Sequence, residues 1–591
     1  MAEYLTPGVY VEEFDSGATP MASVGTSTAG FVGVTEKGPQ QGAPVLVTNF
    51  AGFKRIFGGY LSENEFGEYR YLAYAVNQFF INGGSRCYIK RVVPSNATYA
   101  HNVEDDKAAP LVIYAKNPGA WGNKITVSVV PSSKAKSQIL EIIKTSNDKK
   151  YRLKNATGFL AGDTVVFTDG STKIYNKIVD VDGDILTFES AFEDSVVDVG
   201  LIAKKVISTC EINIEVKSEG IIENYTGCSF NTLSPNFINQ KLAKSEIVMV
   251  DAKEVAPVKK VTEEGEETTE TYGGILSPFK LISGNDEGEF LISLFGGSNG
   301  TLEALSSADF IGEDDGPGAR TGIQAFIDNN EVSIMAVPGV TDPQVGLTLV
   351  AHCERMTNRF AILDIPKDKR TVNDIVDYRN FYDSEYAAMY HPWIKVLDPL
   401  TKNTGAIPPS GSVAGIYART DNTRGVHKAP ANEIVSACVG LECNYTSGEQ
   451  DILNPKGVNL IRSFPGQGIR VWGARTVSSN PLWKYVNVRR LFIFIEESIR
   501  ASTNWVVFEP NDQLLWLRVR RTIEIFLGDV WRSGALVGST EDEAFFVEIG
   551  PSTMTQGDID AGRLICVIGV APVKPAEFVI FRITQKTGGA E

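Results

Sequence analysis

Histidine is nearly absent, with four in 591 residues, which leaves general acid–base chemistry near neutral pH few candidates. No glycine is followed by lysine, so there is no Walker A loop and no P-loop ATPase to supply mechanical work. His-Glu-x-x-His is missing as well. The seven cysteines, spread from Cys87 to Cys566, have no framework spacing, and Cys438 and Cys443 lack a second pair at zinc-ribbon distance. Buried or idle thiols in a reducing compartment are the expectation, with no disulfide scaffold and no metal site. Nowhere do about 18 uncharged apolar residues follow one another, so no membrane span is expected. Glu3, Glu12 and Glu13 stand where an export signal needs a basic start, so none is expected either. A positive balance is also lacking: the net charge of −16 argues against direct nucleic-acid binding, which requires a basic footprint. Nothing calls for a cofactor.

The chain does have ample apolar material: 43% of residues are hydrophobic and 10% aromatic, enough for the cores of several globular domains. The segment TPGVYVEE, Thr6 to Glu13, has strand-forming Val9, Tyr10 and Val11 but no turn leading to a complementary strand. After a Gly-, Ser-, Thr- and Ala-rich stretch, STAGFVGV reads as a buried strand. FGEYRYLAYAVNQFFIN, residues 66 to 82, has helical spacing and stops at Gly83-Gly84, and CYIKRVV reads as the next strand.

From about 105 to 285 the pattern changes to period two, with turns at Gly162-Asp163, Asp169-Gly170 and Asp182-Gly183, and an acidic loop, VTEEGEETTETYGG. This reads as an inserted β-rich module. Between 286 and 425 the short apolar runs VSIMAVPG, RFAILDIP, AAMYHPWIKVLDP and VAGIYAR end in loop residues, and VGLTLVAHCERMTN has helical periodicity. A mostly parallel sheet with flanking helices follows, so the fold class is a multidomain α+β and α/β chain.

An α/β sheet invites a hydrolase reading. GGSNG, Gly296 to Gly300, fits the nucleophile-elbow pattern around Ser298, and Asp364 with His391 or His427 completes the order of a triad. The plainer reading is a glycine-rich turn leaving a strand, in a chain with 55 glycines. The last third carries more. Between Arg462 and Arg532 eleven Lys and Arg stand against six acids, a surplus of five inside an acidic protein. Two amphipathic helices are expected there, one with Tyr485, Val488, Phe492, Ile495 and Ile499 at helical spacing, the other with Leu515, Val519, Ile523, Phe526 and Val530 on one face. Arg518 and Arg521 fall on another face and remain available for a partner.

The motif order PGVYVEE, NPGAWGN, LFGGSNG, PPSGSVAGIYARTDNTRGVHKAPAN, LNPKGVNLIRSFPGQGIRVWGARTVSS, WKYVNVRRLFIFIEESI, TNWVVFEPN and PAEFVIFRI resembles the sheath proteins of contractile phage tails and bacterial contractile injection systems. The resemblance spans both ends and is dense from residue 408 onward; residues 131 to 285 depart from it. It implies a strand-exchange arm over 1–25, an α/β sheath core over 26–104 and 286–425, an outer β-rich module over 105–285, and an inner polymerisation domain over 426–591. It implies that Gly8, Val9, Tyr10, Val11 and Glu12 form a donor strand, and that Phe578, Val579, Ile580, Phe581, Arg582 and Ile583 form a second exchanged strand. The implied partners are further copies in six-fold rings stacked helically, a tail tube protein, and baseplate and tail terminator proteins; Arg489, Arg490, Arg518, Arg520 and Arg521 would contact the tube or an acidic neighbouring copy. Assembly would take place in a bacterial cytoplasm, as part of a phage tail or injection particle. A hydrolase with interaction modules, and a capsid or tube component, are the competing readings.

Overall fold

The computed structural model describes residues 21–103, 111–143, 150–169, 172–189, 205–252, 259–261, 267–269, 277–578 and 580. Two compact units emerge. The first comprises Met1–Thr35, Gln40–Val92 and Ser306–Glu591, and the second Glu36–Pro39 with Val93–Leu305.

The first unit is built on a nine-stranded sheet in the order Val45–Val47, Cys87–Val92, Ala29–Val34, Ile334–Ala336, Phe360–Asp364, Ala387–His391, Val458–Phe464, Gly468–Val471, Glu433–Ile434. The run from Cys87–Val92 to Val458–Phe464 is parallel, and the remaining strands add antiparallel edges. Strands covered on both faces need no alternation. Ala29–Val34, AGFVGV, is accordingly buried at every position, as is Phe360–Asp364. Connecting helices begin with proper caps: Asp342 accepts from the amide of Gln344 ahead of Pro343–Met356, and Thr371 from that of Asp374 ahead of Val372–Arg379.

The run VAGIYAR, read as one of the sheet's apolar runs, lies instead in the helix Ser410–Arg424, which is buried nearly all round. It lies against the helix Leu72–Ile81 at backbone distance. A Cβ on Gly411 would sit 2.4 Å from the Ala75 carbonyl oxygen, and one on Gly415 2.4 Å from that of Phe79. Only glycine permits that approach. Nor does the sheet respect a border at 425/426: Glu433–Ile434, Val458–Phe464 and Gly468–Val471 all join it. Hydrogen bonding along a sheet edge recruits strands from well beyond the composition change that suggested a border there.

Beyond the sheet, Val486–Ser502 and Gln513–Arg532 form the two expected helices, the second capped by Asp512, which accepts from the Leu515 amide. Leu491, Ile495, Leu515, Val519, Ile523, Phe526 and Val530 share one core with Phe545 and Val547 of a following ribbon.

The second unit is β-rich. Six strands close into a barrel in the order Ile185–Phe188, Lys150–Leu153, Lys136–Ile143, Val206–Thr209, Thr164–Asp169, Thr172–Asp182. Its interior is filled by Ile139, Tyr151, Leu153, Phe167, Leu186 and Phe188 among others. A four-stranded antiparallel sheet, Ile221–Cys228, Glu211–Ser218, Thr126–Ser132, Phe290–Ser293, completes a separate core with Leu111–Ala115 and Val248–Ala252. Gly162 and Gly183 take positive φ at two of the expected turns, while Asp169-Gly170 runs out of the described residues. The unit runs from Val93 to Leu305, wider than 105–285, because the strand Phe290–Ser293 pairs with Thr126–Ser132. The acidic loop lies largely outside the described residues.

Candidate assembly surface

The antiparallel ribbon Phe545–Ile549 with Cys566–Val570 pairs Phe546 with Gly569. One face, carrying Phe545 and Val547, packs on the core under Gln513–Arg532. The other leaves Phe546 and Val567 exposed. The Phe546 ring lies over Gly569, where a Cβ would come within 2.1 Å of it. Among the described residues no third strand joins this sheet. A ribbon of two strands is marginal alone, and its free edges offer backbone donors and acceptors to any extended segment.

The expected donor strand, Gly8, Val9, Tyr10, Val11 and Glu12, lies outside the described residues, as do Val579, Phe581, Arg582 and Ile583. Phe578 and Ile580 are described and are 72% and 78% exposed. Two large apolar side chains two positions apart, both in solvent, have the spacing of one face of an extended segment.

The five arginines divide. Arg518, Arg520 and Arg521 lie on the outer face of Gln513–Arg532 and are exposed. Arg518 stacks over Trp505 at 4.8 Å and Arg520 pairs with Glu524 at 2.7 Å. Arg489 and Arg490, expected at a partner surface, are instead internal groups, only 3% and 4% exposed. Arg490 donates to both carboxylate oxygens of Asp421, at 2.9 and 2.6 Å, and stacks on Tyr417. Arg489 pairs with Glu385 at 3.1 Å and Glu496 at 2.8 Å, with its guanidinium 4.3 Å from the Trp483 ring. A planar guanidinium can be enclosed this way when carboxylates and ring faces satisfy it.

Sequence reasoning missed Phe508, fully exposed between the two helices with φ of 70°. A bulky residue in the left-handed region is strained. Val507, Leu514 and Leu517 are exposed around the same turn. The one available signal was three apolar residues, VVF, placed immediately before a Glu-Pro break.

The residues of the expected triad are engaged elsewhere. Ser298 belongs to the second unit and Asp364, His391 and His427 to the first. Ser298 is exposed, its backbone exchanges hydrogen bonds with Thr98 in an antiparallel bridge, and its hydroxyl accepts from the Gly300 amide. Asp364 is fully occupied: it accepts from the Ser410 hydroxyl at 2.6 Å, the Ser410 amide at 3.0 Å and the Gly339 amide at 3.1 Å. Burial lifts its pKa to about 6 against those three bonds. His391 meets the Tyr445 hydroxyl at 2.7 Å, and burial depresses its pKa to about 3. These groups hold loops and helix starts in place. Among the described residues no cluster of three or more His, Cys, Asp or Glu could hold a metal, and no helix is long and apolar enough to cross a membrane.

The phage tail sheath protein central domain matches residues 312–477, and the phage tail sheath C-terminal domain matches 478–586. The chain belongs to the phage tail sheath protein family. The matched span covers the ribbon, both C-terminal helices and most of the nine-stranded sheet, and leaves out Val93–Leu305. The sheath chain is 27% identical over 294 residues to a Pseudomonas aeruginosa protein described as a prophage major tail sheath protein, covering 48% of this chain and 73% of that one. It is 25% identical over 300 residues to the tail sheath protein of Escherichia phage P2, again 48% and 73%. The sheath complex of an extracellular contractile injection system in its contracted state has the same fold at 21% identity, with a TM-score of 0.51 and 99% of each chain covered.

Proposed function

We propose that this chain is the structural subunit of a contractile tail sheath, which polymerises into stacked six-fold rings around a tail tube and contracts to drive the tube through a target envelope. The observation that carries the reading is the two-stranded ribbon with open edges in a chain whose termini hold strand-forming segments lacking local partners. Strand addition from neighbouring copies completes such a sheet: main-chain hydrogen bonds supply affinity, and alternate side chains such as Val9 and Val11 select register. Contacts of this kind run head to tail and do not close on one copy, so they build helical polymers. The work is stored at assembly and released through new contacts, without a fuel molecule. The exposed Arg518 and Arg521, with Phe508 beside them in sequence, face the tube or an acidic neighbour. Baseplate and terminator proteins cap the polymer.

Deletion of residues 1–14 tests the reading. Electron microscopy of the full-length chain is expected to show hollow striated cylinders, and the truncated chain only folded monomers. Long cylinders from the truncated chain would remove the donor strand from the account.

A further inference from the structure

We infer that the helix Val486–Ser502 is a strut that fixes the departure points of both terminal arms, through side-chain clamps at its two ends. The geometry of the clamps stands by itself; their consequence for the polymer rests on the strand-exchange reading.

At the N-terminal side the described chain runs antiparallel to the helix. The Ala22 carbonyl accepts from the Ser502 hydroxyl at 3.4 Å, and the Val24 amide donates to the hydroxyl of buried Ser498 at 3.2 Å. Further along, the Thr26 carbonyl accepts from Arg490 at 2.9 Å while the Thr26 hydroxyl donates to Asp421 at 2.7 Å. The buried Arg490–Asp421 pair therefore has a second duty: both of its members hold Thr26. Met21 packs against the C-terminal core at the far end of this run.

The other clamp centres on Glu577. Arg475 donates to its two carboxylate oxygens at 2.7 Å each, Asn454 donates at 2.8 Å, and the hydroxyl of Tyr485, which caps the helix start, donates at 3.0 Å. Lys484 adds an ion pair at 3.6 Å, and one turn into the helix Asn487 donates to the Val573 carbonyl at 3.3 Å. A bidentate guanidinium–carboxylate pair orients as well as attracts. The next side chains described beyond Glu577, Phe578 and Ile580, are in solvent.

One arm root is thus held at Tyr485 and the other along Arg490 to Ser502. A helix of 17 residues is about 25 Å long at about 1.5 Å per residue. Since a helix changes length far less readily than a loop does, the spacing of the two roots is preserved. The subunit would carry its two connections as a rigid pair.

Hydrogen exchange by mass spectrometry on the full chain as purified monomer tests this. Glu577→Gln is expected to raise exchange across 571–578 at least tenfold, leaving 21–28 and the nine-stranded sheet at their wild-type rates. Thr26→Val combined with Ser498→Ala is expected to do the reverse, loosening 21–28 alone. Arg475→Lys, which keeps the charge but loses the fork, covers the case in which Glu577→Gln destabilises the whole unit. Wild-type exchange at 571–578 in both Glu577→Gln and Arg475→Lys would overturn the C-terminal clamp. Loosened roots in a chain whose 1–14 deletion still polymerises would instead sink strand exchange and leave the clamps standing.

Discussion

Replacing Arg490 by methionine separates an internal arginine from a partner-facing one. In the folded chain Arg490 and Asp421 are each 4% exposed at the side chain and share two short hydrogen bonds. Methionine fills much of the arginine stem's volume but leaves the Asp421 carboxylate enclosed with one remaining side-chain donor among the described residues, the Thr26 hydroxyl. Breaking one member out of a buried pair costs about 3–5 kcal/mol, because the remaining charge is neither solvated nor paired. Loss of the stacking on Tyr417, whose ring centroid is 4.7 Å from the guanidinium, adds up to about 1–2 kcal/mol. In a unit of more than 250 residues about 1 kcal/mol moves the melting midpoint by about 2 °C, so a drop of about 8–14 °C is expected. Adding Asp421→Asn should recover part of it, since removing both charges is cheaper than removing one. The assay is thermal melting of the monomer followed by hydrogen exchange within 306–578, so that melting of the barrel is not mistaken for it. If the Arg490→Met monomer melts within 2 °C of wild type and fails only in assembly, Arg490 is a contact residue and its assignment as an internal group is wrong.

Four further outcomes can be checked. Arg518→Glu with Arg521→Glu should leave the monomer within about 0.5 kcal/mol of wild type, as surface changes do, and impair cylinder formation or triggering; unaffected sheaths would take those two residues out of the interface. Gly415→Ala should gain about 1 kcal/mol of helix propensity yet lose more than 2 kcal/mol overall, because its Cβ would meet the Phe79 carbonyl oxygen at 2.4 Å; a stabilised protein would mean the two helices can separate freely. Acid should destabilise the first unit: burial, helped at His352 by the Arg359 and Arg355 charges, holds His352 and His391 down at about 3. The unfolded chain then takes up those protons first and stability falls as pH drops from about 6.5 towards 3. Asp364, raised to about 6, runs the other way, so midpoints that rise between pH 6.5 and 4.5 would show that it outweighs the histidines. Finally, Ser298→Ala should change neither melting nor assembly, and loss of an esterase activity on that change would reopen the hydrolase reading.

What the sequence reveals follows from how local its signals are. The helices Val486–Ser502 and Gln513–Arg532 are legible because their apolar positions repeat at helical spacing and Asp512 sits at the second start. The end of Leu72–Ile81 is legible because Gly83 takes the positive φ that follows a helix. VAGIYAR misleads because a short apolar run fits a buried strand and a buried helix equally; the spacing of Gly411 and Gly415 was the discriminating feature. Arg489 and Arg490 mislead for a different reason. A charged side chain reads as exposed unless its partner is visible, and Glu385 and Asp421 stand 104 and 69 residues away in the chain. Phe508 is illegible because its exposure depends on a loop conformation that no periodicity encodes. The β-rich unit is recognised by alternation, but closure of its barrel depends on pairing between Lys136–Ile143 and Val206–Thr209 across a long stretch of chain.

The positive surplus between Arg462 and Arg532 means less as a total than as what survives folding. Arg475 is absorbed by Glu577, Arg489 by Glu385 and Glu496, and Arg490 by Asp421. Arg500, Arg520 and Arg532 each pair with an acid one turn away, Glu497, Glu524 and Asp529. On the outer helix face, Arg518 and Arg521 are the cations with no carboxylate within 4 Å among the described residues, and they stand three residues apart, hence on one side of the helix. Both are exposed, so their attraction for an acidic partner acts through water and is screened within about 8 Å at physiological ionic strength. Such a contact is weak per pair and sensitive to salt, but in a sheath it would be repeated once per subunit along the whole polymer. That combination suits a connection which has to hold an extended assembly and then let go of it, whereas the buried pairs, shielded from salt and expensive to break, suit the parts of each subunit that have to survive the event unchanged.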